Sequence, residues 1–336
     1  MSIVENGDIE DWIAKETPED VLEPDLPIID PHHHLWDHRD REDPHFRQVV
    51  YLCEEISRDI ADSGHNIVQT VFAQCGAFYR ADGPEEMRCI GETEFVNGIA
   101  AMSRSGIYGP ARLCTGIFST ADLHLGAGTE VVLNAHLAAS PNFRGIRSPF
   151  PEDLNDTFLT GFALLENYDL AFDNWSSDFT RLPRLADLAN KSPGVTVIVN
   201  HLGGKIDPDA DDEEIKAWQS AIDSVAACPN ALMKVGGAQM RSHDWEPPFH
   251  MHQADVPWSS DDFLETLLPR YQYVIEAFGP DRCMFESNFP VDKDCISYRS
   301  LWNLFKKIAR HLGLSEAEKT AIFSGTAARA YRLQAP

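Results

Sequence analysis

The sequence predicts an α/β protein: a (β/α)8 barrel in a single domain, with long loops after the second and seventh strands. Three features predict it. Eight short apolar runs, each bounded by turn chemistry, recur through the 336 residues, as in strands covered on both faces of a parallel sheet. The segments between them are long enough for helices, and two of them carry helical periodicity. Eight strands alternating with helices is the arithmetic of such a barrel, whose single domain runs to about 250 residues and more. A doubly wound open sheet is the other arrangement this alternation allows.

The expected strands are Leu26–Ile29, Ile67–Ala73, Leu113–Phe118, Phe143–Arg147, Leu170–Phe172, Val195–Val199, Leu232–Val235 and Cys283–Phe285. After the sixth, Glu213–Ala226 places Ile215, Trp218, Ile222 and Val225 on one helical face. After the eighth, Leu301, Leu304, Phe305, Ile308 and Leu312 repeat that pattern. Two connections are long: Cys75 to about Arg112, and Gly236 to about Phe278. The second holds His243, Trp245, Pro247, Pro248, His250, His252 and Trp258, too irregular for one helix and aromatic enough to cover a pocket. Loops that follow strands build the active-site face of a barrel. Residues 1–24 read as a flexible or loosely docked acidic extension, and residues 25–334 as the barrel domain.

With Lys+Arg 28 against Asp+Glu 53, the net charge is −25, which repels phosphate backbones and anionic lipid. Neither nucleic acid nor a membrane surface is expected as a partner; a small-molecule substrate is, and a homo-oligomer is allowed. The N-terminus is acidic where a secretory signal is basic, and no apolar run reaches the ~18 residues of a spanning helix, so a cytoplasmic location is expected. Seven cysteines without a CxxC pair suggest buried free thiols rather than a disulfide framework. The acidic stretch Asp207–Glu214 lacks the glycine and glutamate of a calcium loop and is expected to cap a helix.

Four segments carry chemistry. Ile28–Asp37 reads IIDPHHHLWD; along an extended chain Asp30, His32 and His34 share one side, and His33 faces the other. Two imidazoles at a strand end can share one cation or one substrate oxygen, and catalytic zinc sites usually combine three protein ligands with an open water position. Val197–Gly204, VIVNHLGG, runs a buried strand into His201 and a glycine pair that lets the backbone turn sharply or approach a ligand. Cys283–Lys293, CMFESNFPVDK, ends the last strand in a polar cluster. Phe143–Arg147, FRGIR, carries Arg144 and Arg147, guanidiniums able to grip a carboxylate through parallel hydrogen bonds.

In this order and spacing the segments resemble the amidohydrolase superfamily, and more closely its amidohydrolase-related branch of lactonase-like TIM-barrel hydrolases. The likeness runs from DPHHHLW (Asp30–Trp36) through GHNIVQTVF (Gly64–Phe72), FRGIR, NHLGG (Asn200–Gly204) and MFESNFPVDK (Met284–Lys293) to GTAAR (Gly325–Arg329). The resemblance implies a distorted barrel in which His32 and His34 end the first strand, His201 the sixth and Asn288 the eighth. Members so arranged hydrolyse lactones or related cyclic esters of sugar acids and aromatic breakdown products; related branches decarboxylate aromatic acids. The superfamily pattern places an Asp where this sequence has Asn288. An amide can orient water or a carbonyl but cannot take a proton at neutral pH. The base then falls to Asp292, Asp173, Asp30 or Glu286, with Asp292 favoured. The fifth strand ends in FDNW without a histidine, and no bridging lysine follows the fourth, so a two-metal site is not expected.

The expected function is a hydrolase that opens a lactone by water attack on a carbonyl held by strand-end histidines. His32, His34, His201, Asn288 and Asp292 are the expected catalytic residues, with Trp36, Tyr79, Arg80, Arg144, Arg147, Trp175 and Glu286 around the substrate. The cofactor expectation is one divalent ion, zinc or manganese, on His32, His34 and His201, with metal-free catalysis equally open. A metal-dependent nonoxidative decarboxylase of an aromatic acid is the alternative enzyme, in which the first motif tends to begin with Glu. A non-catalytic small-molecule binder is the alternative of a different class, favoured by Asn288 alone.

Overall fold

The computed structural model describes residues 7–39, 46–151, 153–207, 210–240 and 247–336. Eight strands lie side by side in chain order, all parallel: β1 Ile28–His33, β2 Ile67–Phe72, β3 Arg112–Ser119, β4 Phe143–Pro149, β5 Ala171–Trp175, β6 Val197–Val199, β7 Ala231–Val235 and β8 Cys283–Phe285. Just beyond β8 the chain returns to β1. Asn288 N–H donates to the His32 carbonyl at 2.9 Å, and His34 N–H donates to the Phe289 carbonyl at 2.7 Å. The sheet is thereby closed into a barrel, which excludes the open-sheet alternative.

A helix follows each strand: α1 Cys53–Ser63, α2 Ile90–Arg104, α3 Thr129–Ala139, α4 Asp156–Asn167, α5 Leu182–Lys191, α6 Asp212–Ala226, α7 Ser260–Phe278 and α8 Tyr298–His311. Each predicted strand run overlaps an observed strand, because strands buried on both faces keep few polar residues. One face of the sheet fills the barrel with Ile29, Val71, Phe118, Ala171, Ile198, Leu232 and Met284, against which Tyr331 packs. The other face, with Phe72, Ile117, Ile146, Phe172, Met233 and Phe285, packs against the helical layer. Phe285, for example, stacks on Phe305 of α8 at 4.5 Å between ring centroids. Gly145 on β4 has no room for a side chain: a Cβ there would lie 2.3 Å from the Ala171 carbonyl oxygen.

The acidic stretch before α6 caps it as expected, since the Asp211 carboxylate accepts the N–H groups of Glu213 and Glu214; Pro208 and Asp209 lie outside the described residues. Ser259 and Asp262 form a capping box at the start of α7. Of the long connection after β7, His243 and Trp245 lie outside the described residues, and Pro248–Gln253 forms a short helical turn. All seven cysteines are free, and Cys75 alone is not fully buried. Among the described residues no helix is long and apolar enough to cross a membrane.

The described part of the N-terminal segment departs from the expectation of a loosely docked extension. Residues Gly7–Ile13 are helical, with Ile9 and Trp12 buried. Asn303 accepts the Leu22 N–H at 3.0 Å, and Lys306 Nζ donates to the carbonyls of Leu22 and Glu23 at 2.7 and 2.9 Å. Its carboxylates find partners that the linear sequence does not pair with them: Glu10 meets Lys293 at 2.8 Å, and Glu23 meets Lys319 at 3.1 Å.

Candidate active site

The polar cluster sits at the carboxyl ends of the strands, where the barrel leaves room for side chains that the packed interior excludes. Alternation along β1 separates the histidines as expected. His33 turns away to Thr70, its Nε2 2.9 Å from Oγ1, and burial holds its pKa at about 3. Asp30 accepts the Ser287 N–H at 3.0 Å, the Ser287 hydroxyl at 2.6 Å and the Tyr298 hydroxyl at 2.8 Å. It therefore clasps β1 to the chain after β8, and burial pushes its carboxyl up to about 6.

His32 and His34 meet edge to edge, with Nε2 3.2 Å from Nε2. The Nδ1 of His34 lies 2.8 Å from the Ala73 carbonyl, which can only accept, so Nδ1 carries the proton and Nε2 a lone pair. On the far side of His32, Nδ1 lies 2.7 Å from Glu286 Oε2, off the ideal hydrogen-bonding direction, and 3.2 Å from Lys234 Nζ. Burial, then the neighbouring Lys234 ammonium, pushes the His32 pKa well below the ordinary imidazole range. Burial and the Arg147 guanidinium do the same for His34, so both rings are neutral.

His201 follows β6 at φ 53°, a left-handed conformation that is strained for a side-chain residue and turns its ring into the cluster. Its Nδ1 donates to Glu286 Oε1 at 2.8 Å, and its backbone N–H approaches the same oxygen at 3.2 Å. Gly237, at φ 68°, leaves space for this ring: a Cβ there would stand 2.2 Å from His201 Nδ1. Glu286 thus holds two imidazoles at once, and ligand atoms of His32, His201 and Glu286 lie within 4.8 Å of one another.

Asn288 also takes a left-handed φ of 53°. Its amide donates to Asp292 Oδ1 at 2.8 Å, and burial drives the Asp292 carboxyl well above the ordinary carboxylate range. The neighbouring Lys293 reaches Glu10 at 2.8 Å and Asp59 at 2.9 Å. Arg147 lies in the cluster, with Nη1 donating to the Gln74 carbonyl at 2.8 Å and Nε 3.7 Å from Asp173 Oδ1. Its guanidinium lies 5.7 Å from the ring centroid of Trp175, whose edge meets His201 at 5.1 Å.

Other expected substrate residues lie elsewhere. Arg144 donates to the Tyr331 carbonyl at 2.7 Å and to Pro141 at 2.7 Å. Three residues of strand span about 10 Å, which puts it at the opposite end of the barrel, so the arginine pair does not act together. Arg80 is exposed and pairs with Glu94. Tyr79 is on the rim, its hydroxyl accepting from Gln74 at 2.9 Å. Trp36 is buried, donating to the Gln48 carbonyl at 2.9 Å and stacked beside His34 at 6.1 Å, so it supports that ring from behind.

Sequence reasoning missed Lys234. It is fully buried on β7 and donates to Asp173 Oδ2 at 2.6 Å. The available signal was a lone charge inside the apolar run ALMKV, since lysine is almost never fully buried unless paired.

The donor set can be tested against a cation. One tautomer of His32 puts its proton on Nδ1, 2.7 Å from Glu286 Oε2 though off the ideal hydrogen-bonding direction. With that proton on Nδ1, the Nε2 lone pairs of His32 and His34 face each other, an arrangement that calls for a shared cation. Two nitrogens about 2.0–2.1 Å from one tetrahedral zinc lie about 3.3 Å apart, close to the 3.2 Å seen here. The two nitrogens therefore fit a single metal ion, while the three donors that lie within 4.8 Å of one another are those of His32, His201 and Glu286, not the expected trio with His34. With the other His32 tautomer, Lys234 donates to Nδ1 and Nε2–H donates to His34, a chain that closes without one.

The fold and the cluster together are a closed (β/α)8 barrel with three histidines and a carboxylate converging at its strand ends. The amidohydrolase family model matches residues 125–333, well over half of the chain, and the chain belongs to that family. It is 30% identical over 337 residues to the uncharacterized protein y4mH of Sinorhizobium fredii, covering 92% of this chain and 99% of that one. It is 29% identical over 181 residues to the L-fucono-1,5-lactonase of Burkholderia multivorans, a match that spans 53% of this chain and only 57% of the lactonase. Among solved structures, an amidohydrolase from Burkholderia multivorans with bound zinc superposes with a TM-score of 0.67 at 21% identity, covering 91% of this chain and 99% of that one.

Proposed function

We propose that the protein opens a lactone or related cyclic ester of a small organic acid, using one divalent cation held by His32, His34 and His201. The observation that carries this is the 3.2 Å approach of His32 Nε2 to His34 Nε2. The zinc in the Burkholderia multivorans neighbour and the lactonase activity of the relative from that organism support it. A bound zinc or manganese ion would polarise the ester carbonyl and lower the pKa of water towards about 7.

The chain's own residues then have distinct tasks. Glu286 fixes the rings of His32 and His201 through the contacts at 2.7 and 2.8 Å. Arg147, flanked by Trp175, holds a carboxylate or hydroxyl of the substrate and excludes water from that side. Asn288 orients the carbonyl or the attacking water through its amide. Asp292 takes the proton: its Oδ2 has no hydrogen-bond partner among the described residues, and burial raises its proton affinity.

A metal-free site is the second reading, favoured by the chain from Lys234 through His32 and His34 to the Ala73 carbonyl. In that case the base is His201 Nε2, its ring oriented by Glu286 at Nδ1. The decarboxylase alternative gains no acid from Asp30, whose oxygens are spent on Ser287 and Tyr298.

The test combines metal content with a substrate screen. Protein purified without added metal or chelator is analysed by inductively coupled plasma mass spectrometry, then assayed on a panel of lactones for acid release and on aromatic acids for carbon dioxide. About one zinc or manganese ion per chain with chelator-sensitive acid release supports the first reading. Metal-free, chelator-insensitive hydrolysis supports the second. Carbon dioxide without lactone opening overturns both.

A further inference from the structure

The N-terminal segment reaches the loops that surround this cluster. Trp12 Nε1 donates to the Ala254 carbonyl at 2.7 Å, in the loop after β7. Glu10 accepts from Lys293 Nζ at 2.8 Å, in the turn Asp292–Asp294 after β8. The Arg47 guanidinium, in the loop after β1, lies 4.9 Å from the Trp12 ring centroid, and the Arg47 N–H donates to Asp294 Oδ1 at 3.2 Å. Further along, Glu19 accepts the Ser260 N–H at the start of α7 at 2.7 Å. One short segment therefore ties together the connections after β1, β7 and β8.

Two of these connections bear directly on the catalytic groups. The loop after β7 begins with Gly236 and Gly237 against Glu286 and His201, and its Gln239 N–H reaches the Asp292 carboxyl. The turn after β8 carries Asp292 itself, next to the lysine that Glu10 and Asp59 hold between them.

We propose that residues 7–19 form a strap that positions the active-site loops, with Glu10 and Trp12 as positioning residues: Glu10 fixes the turn that carries Asp292, and Trp12 fixes the loop after β7. This rests on the assignment of His201, Glu286 and Asp292 to the reacting centre. An aromatic ring at position 12 suffices for apolar packing, whereas only tryptophan supplies the N–H that Ala254 accepts. Without that bond the loop opens locally while the barrel, built from other contacts, stays closed.

The experiment uses the full chain with Trp12→Phe, which keeps the ring and removes the N–H, and with Glu10→Gln, followed by hydrogen exchange in peptides covering residues 247–259 and 112–119. In Trp12→Phe, exchange in 247–259 should rise about fivefold or more while 112–119 in β3 stays unchanged. With any lactone the enzyme turns over, KM should rise about threefold or more with kcat little changed, whereas Glu10→Gln should lower kcat. Unchanged exchange in 247–259, or an equal rise in both peptides, overturns the proposal. Because exchange needs no substrate, failure of the lactonase reading leaves this result standing, and loss of the strap effect leaves the lactonase reading untouched.

Discussion

Lys234 Nζ lies 2.6 Å from Asp173 Oδ2, a fully buried ion pair that joins β7 to β5 across the barrel and sits 3.2 Å from the ring of His32. Desolvating both charges is costly, and removing one partner leaves the other buried without compensation. Lys234→Met should therefore destabilise the protein by about 3–5 kcal/mol in urea unfolding. The double variant Lys234→Met with Asp173→Leu should recover part of that loss. A single variant as stable as the parent would show that the pair does not hold the barrel.

His201 and Glu286 act as a unit in either form of the proposed mechanism, through the Nδ1 to Oε1 hydrogen bond of 2.8 Å. His201→Ala should abolish turnover of the true substrate, and Glu286→Gln should lower kcat by about 10–100-fold, as expected when a group that orients a catalytic histidine loses its charge. Their double variant should be no worse than His201→Ala. Near-normal turnover in His201→Ala would remove this residue from the mechanism.

The arginines of FRGIR should separate cleanly. Arg147, 9% exposed and 3.7 Å from Asp173 within the cluster, should be needed for substrate binding. Arg147→Lys loses the planar fork and should raise KM by about tenfold or more. Arg144 is bound to the Tyr331 carbonyl at the far end of the barrel, so Arg144→Lys should leave KM and kcat unchanged. Steady-state kinetics on one lactone decides both.

Glu92 supplies a pH dependence of stability. Its carboxylate accepts the N–H groups of Cys75 at 3.1 Å and Ala77 at 2.9 Å, next to the Gln74 carbonyl that holds Arg147. Burial nevertheless pushes its pKa up, from 4.5 to about 7. The folded state thus binds this proton more tightly than the unfolded chain, and stability from this group falls as pH rises from 4.5 through 7. The full effect is about 3 kcal/mol. Glu92→Gln, which carries no titrating proton, should gain stability relative to the parent between pH 5 and pH 8 in urea unfolding. A parallel pH dependence in the two proteins would mean that Glu92 does not titrate in this window.

The barrel was legible because its strands are buried on both faces, so the chain itself writes them as apolar runs. Each expected run, from Leu26–Ile29 to Cys283–Phe285, overlaps a strand. That His32, His34, His201 and Glu286 share one face was legible for a related reason: polar residues that follow an apolar barrel strand lie at the carboxyl end of the barrel. Which of them touch was decided by the tertiary structure. Contacts across a closed barrel join residues far apart in the chain, as Glu286 joins His32 and His201. The sequence could not show Lys234 meeting Asp173, nor Arg144 facing the opposite end from Arg147, because strand stagger and ring closure set those positions. Nor could it show the N-terminal segment docked: carboxylates look alike on a free tail and on a bound one, until the lysines, the helix N-termini and the Ala254 carbonyl that receive the segment are folded into place.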